Sequence, residues 1–70
     1  MQLMEILGKI LGSPARVKIM RLFLLNKGKW FKSKDIMKRS QVGPNIVRRE
    51  IRLLSSVDFI KKRIQDWSFN

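Results

Sequence analysis

Gly43-Pro44-Asn45-Ile46-Val47-Arg48-Arg49-Glu50-Ile51-Arg52-Leu53-Leu54 carries two periodicities at once. Asn45, Arg48, Arg49 and Arg52 recur at i, i+3, i+4 and i+7, which puts them on one stripe of a helix. Val47, Ile51 and Leu54 recur at i, i+4 and i+7 and fall almost opposite. One side of this helix therefore docks on a core. The other offers an amide and three guanidinium groups. Such a face suits phosphates and base edges, because guanidinium forks match paired acceptors and an Asn amide pairs with adenine. Glu50 lies off the stripe, so the stripe itself carries no acid.

The flanking segments give this helix its setting. Upstream, Ser33 reads as the cap of a helix over about 34–40, with Ile36 and Met37 facing inward, and Gln41-Val42-Gly43 reads as the turn. Pro44 suits the first position of the next helix. Downstream, Phe59 to Ile64 and Trp67 to Phe69 read as two short strands joined by a Gln65-Asp66 turn, which predicts a β-hairpin.

Further upstream, Lys29-Trp30-Phe31-Lys32 reads as a short edge strand. Ser13 caps and Pro14 opens a helix that runs to about Leu25. Its apolar arc is wide, from Ala15, Val17 and Ile19 through Met20 to Leu22, Phe23 and Leu24, which predicts burial on two sides. Lys18 and Arg21 mark the solvent side. Arg16 projects within the apolar arc, where a bare guanidinium is costly, so a structural ion pair with one of the few carboxylates is expected. Residues 2–11 read as an amphipathic helix with Leu3, Ile6, Leu7 and Ile10 on one face. That face either completes the monomer core or pairs with a second copy. The small core and the strong apolar face favour dimerisation.

Seventy residues make one small domain over 1–70. A domain of this size buries only about 60% of its unfolded-chain surface. The net charge is +11, with +3 over residues 1–26 and +8 over residues 27–70. A field of that sign attracts polyanions such as DNA, RNA or an anionic membrane surface. There is no histidine and no cysteine, so disulfides, thiolate catalysis and His or Cys metal sites are excluded. The five acids are scattered, without catalytic spacing or a phosphate loop, so no enzyme, cofactor or metal is expected. No apolar run approaches the ~20 residues that span a bilayer, and no membrane partner is expected. The first eleven residues lack a basic start and are interrupted by Glu5 and Lys9, unlike a secretory signal.

The ordered set resembles a winged helix-turn-helix domain of prokaryotic transcription regulators. The resemblance covers nearly the whole chain. It rests on Gly12-Ser13-Pro14-Ala15-Arg16-Val17-Lys18-Ile19-Met20, on Ser33-Lys34-Asp35-Ile36-Met37, on Val42 to Ile51 and on Leu54 to Ile60. It implies a mainly α fold with a small β-hairpin: a three-helix core plus the N-terminal amphipathic helix, a helix-turn-helix over 33–55 and a wing over 59–69. It also implies a cytoplasmic, nucleoid-associated regulator that binds double-stranded DNA with helix 44–55 in the major groove. The sequence departs from the family at Met37, where a small residue is usual, and at Gln41 and Asp58, where glycine is common.

Asn45, Arg48 and Arg49 are expected to read bases and Arg52 to contact the backbone. Strand alternation sends Lys61 and Arg63 to one face and Lys62 to the other, and Lys61 with Arg63 are the favoured wing contacts. Lys32, Ser33 and Lys34 surround a helix N-terminus, where free N–H groups favour a phosphate. Trp30, Phe31, Trp67 and Phe69 are expected mostly to pack between hairpin and helices rather than to stack on bases. The competing reading is a winged-helix interaction module whose basic face takes an acidic protein or a structured RNA.

Overall fold

A computed structural model describes residues 13–70. The amphipathic segment with Leu3, Ile6, Leu7 and Ile10 lies outside these residues. The described chain is mainly helical, with three helices followed by a two-stranded antiparallel hairpin. The order is α1 (Pro14–Leu25), α2 (Ser33–Ser40), α3 (Pro44–Ser56), β1 (Ile60–Arg63) and β2 (Asp66–Phe69). This order is compatible with a winged-helix arrangement.

Each helix starts for a local reason. Ser13 is extended, and its hydroxyl accepts the Arg16 backbone N–H at 3.3 Å, while Pro14 takes the first helical position. Pro44 opens α3 in the same way. At α2 the start falls one residue earlier than the sequence suggests. Lys32 holds the cap position and Ser33 is already helical. The reason is Asp35, whose carboxylate accepts the Lys32 backbone N–H at 3.2 Å and so satisfies that donor without a Ser33 cap.

The core forms where the three helices and the hairpin meet. Ile19 and Phe23 come from α1, Ile36 from α2, Val47, Ile51 and Leu54 from α3, and Ile60 from β1. Phe31 and Val42 close it from the connecting segments. Phe23 and Phe31 meet edge to face with centroids 5.7 Å apart, a favoured aromatic geometry. Val17 is also buried, outside this cluster. Leu24, expected in the buried arc, is 42% exposed, because it points away from the Ile19–Phe23 row.

The expected edge strand over Lys29–Lys32 contracts to one residue. Phe31 and Trp67 exchange backbone hydrogen bonds of 2.7 and 2.8 Å, and Lys32 is taken by the cap of α2. The hairpin pairs Ile60 with Phe69, Lys61 with Ser68, Lys62 with Trp67 and Arg63 with Asp66. Its two-residue loop is therefore Ile64-Gln65, not Gln65-Asp66. Asp66 is the ladder partner of Arg63, and their side chains approach to 3.5 Å across the strands. Ile64 consequently takes a φ of 56°, an uncommon conformation for a β-branched residue. Gln41 (φ 56°) and Asp58 (φ 61°) are also left-handed, at two positions where glycine would be easier.

Arg16 finds its expected partner. Its Nε lies 2.7 Å from Glu50 Oε1, and Glu50 is only 1% exposed on the core side of α3. The Arg49 Nε adds a longer contact of 3.6 Å to the same carboxylate. Removing one partner of a buried pair leaves an uncompensated charge, which is strongly destabilising. Arg16→Met should therefore lower stability by about 3 kcal/mol in urea unfolding. A loss below about 0.5 kcal/mol, as for an ordinary surface change, would contradict this account of Glu50. Gln41→Gly should act in the opposite direction, raising stability by about 0.5–1 kcal/mol through relief of the left-handed strain.

Candidate nucleic-acid interface

Helix α3 presents the two faces that its spacing requires. Val47, Glu50, Ile51 and Leu54 are buried. Asn45, Arg48, Arg49 and Arg52 are all exposed. Ile46 flanks the stripe and stays 38% exposed. The stripe is therefore a solvent-facing array of three guanidinium groups and one amide, held in place by its buried opposite side.

Hairpin register decides which hairpin cation joins this array. Paired residues share a face and alternate residues point oppositely. Ile60 points into the core, so Lys62, two residues on, lies on the same face of β1. Lys62 pairs with Trp67, and its ammonium sits 5.5 Å from the centre of that ring. Lys62 and Trp67 then form one wall of a cleft of about 340 Å³, with Arg48, Ile51, Arg52 and Ser55 of α3 forming the other. Three cations from two elements line this cleft, and among the described residues no acid does.

Lys61 and Arg63 lie on the other face of β1. Both are exposed and approach the Trp30 ring, with the Arg63 guanidinium at 4.2 Å and the Lys61 ammonium at 5.7 Å from its centre. Lys61 and Arg63, the expected wing contacts, thus lie outside this cleft, and Lys62 lies beside α3. Alternation alone puts Lys62 on the Ile60 face; that this face looks toward α3 is set by the packing of Ile60. Phe31, Trp67 and Phe69 pack on or in the core as expected, whereas Trp30 is half-buried beneath the Lys61 and Arg63 side chains.

Lys32 and Lys34 are exposed around the start of α2, and Ser33 is half-buried there. Asp35 occupies the same turn and takes the Lys32 N–H, which removes one donor and adds one negative charge. This end of α2 is thus a weaker anion seat than the α3–hairpin cleft. Among the described residues no cluster of His, Cys, Asp or Glu could hold a metal ion. Among the same residues no helix is long and apolar enough to cross a membrane.

Compared with known proteins, the chain matches no family model, no curated protein and no solved structure.

Proposed function

We propose that this chain is a winged helix-turn-helix domain that binds double-stranded DNA, as a small regulator of transcription. Helix α3 enters the major groove, α2 braces it and the hairpin acts as the wing. The observation that carries the reading is the acid-free cleft between α3 and the hairpin, where Arg48, Arg52 and Lys62 converge. A helix about 10–12 Å across fits a major groove about 12 Å wide. With α3 so placed, its N-terminal residues face base edges and the cleft receives the sugar–phosphate strand alongside.

The roles divide by position. Asn45, Arg48 and Arg49 read bases, Arg48 from the edge of the cleft. Arg52 and Lys62 hold the backbone from opposite walls. Lys61 and Arg63 on the outer wing face, and Lys32, Ser33 and Lys34 at the start of α2, add contacts to flanking phosphates. Phosphate contacts supply most of the affinity and base contacts the discrimination.

The test is a salt titration of affinity for duplex DNA, repeated with variants. If about six phosphates are neutralised, the slope of log K against log salt is near −5. Lys62→Ala should reduce that slope by about one and weaken all sequences alike. Arg48→Ala should cost about 1–3 kcal/mol on a preferred site and flatten the preference. A slope near zero, or full affinity after the joint loss of Arg48 and Arg49, would refute the proposal.

A further inference from the structure

A second basic concavity lies between α1 and the C-terminal end of α2, with a volume of about 370 Å³. No residue of α3 or of the hairpin lines it. Lys18 and Arg21 of α1 and Arg39 of α2 supply three cations, and among the described residues no acid lines the site. The ion pairs among the described residues engage Arg16, Arg49 and Arg63, and none of these three cations. Arg39 lies 5.3 Å from the centre of the Phe31 ring, so its guanidinium is supported from below by the core.

Cations near a helix C-terminus often do no more than complement the helix dipole. That reading covers Arg39, which sits in the last turn of α2. It does not cover Lys18 and Arg21, because the last turn of α1 holds no basic residue. The same concavity has an apolar component, Leu22 and Leu25, and Leu25 is 69% exposed. Bare polyanion binding has no use for such a component. A partner that offers carboxylates beside an apolar side chain uses both.

The geometry points to this concavity as a docking site for an acidic, amphipathic protein segment. Carboxylates of the segment pair with Arg21 and Arg39, whose forks each donate two N–H bonds to a carboxylate, and Lys18 adds a third charge. An apolar side chain of the segment covers Leu22 and Leu25. A concavity of this size falls in the range that encloses a small ligand or a few side chains. The site shares no residue with the proposed DNA surface, so a protein partner and a duplex have separate seats on one small domain.

The experiment titrates the full chain with a labelled synthetic peptide of repeating Asp-Leu-Glu, read by fluorescence anisotropy and by amide chemical shifts. The expected result is saturable binding with shifts at Lys18, Arg21, Leu25 and Gln41. Arg21→Glu and Lys18→Glu, both exposed positions whose folding circular dichroism verifies, should each weaken the peptide about tenfold or more. Arg48→Ala with Arg52→Ala should leave peptide affinity unchanged. A peptide of Asp and Glu with alanine replacing every Leu should bind more weakly. The inference is overturned if no saturable binding occurs, if the α3 variants abolish peptide binding while Arg21→Glu does not, or if a duplex rather than the peptide shifts the Arg21 and Leu25 amides. Failure of DNA binding alone leaves these peptide results unaffected and refutes only the proposal for α3.

Discussion

The arrangement turns on one contact, the ion pair between Arg16 of α1 and Glu50 of α3. Apolar packing by Val47, Ile51 and Leu54 holds α3 against the core, but such packing tolerates some rotation of a helix about its axis. A carboxylate that is 1% exposed and bonded at 2.7 Å does not. With Glu50 fixed toward α1, the exposed stripe of Asn45, Arg48, Arg49 and Arg52 is aimed as a unit. Buried pairs of this kind add little net stability over a well-packed apolar substitute. The pair instead fixes which face of α3 turns toward α1.

Much of this was legible because the local rules agreed with one another. The two faces of α3, the Ser13-Pro14 start of α1 and the need for a partner at Arg16 all follow from side-chain chemistry and helical spacing. The departures occurred where a side chain several residues away decided the outcome. Asp35 satisfied the N–H of Lys32 and moved the start of α2 by one residue. Trp67 is pinned by backbone pairing with both Phe31 and Lys62, and with Asp66 paired to Arg63 the hairpin turn falls one residue earlier, onto Ile64, which turn rules would avoid. The short strand around Phe31 shrank because α2 claimed Lys32. The place of Lys62 depended on knowing that the Ile60 face of β1 looks toward α3, which is a tertiary fact.

Charge on this domain is organised rather than merely abundant. Lys27, Arg39, Lys61, Lys62 and Arg63 each lie over an aromatic ring. A long side chain seated on a ring samples fewer rotamers, so less entropy is lost when it meets an anion. The aromatic residues thereby have a second role besides packing, holding cations at the surface. Arg39 and Lys62, two of these cations, line the basic concavities between α1 and α2 and between α3 and the hairpin, neither of which holds an acid among the described residues.

The central claim is that α3 reads base sequence in duplex DNA. Selection of bound fragments from a pool of random duplexes tests it most directly, because it asks for preference rather than attraction. The account predicts that a short recurring motif emerges over successive rounds. Recovered fragments with no shared motif, from a domain that still retains DNA, would contradict it and reduce α3 to a general polyanion surface.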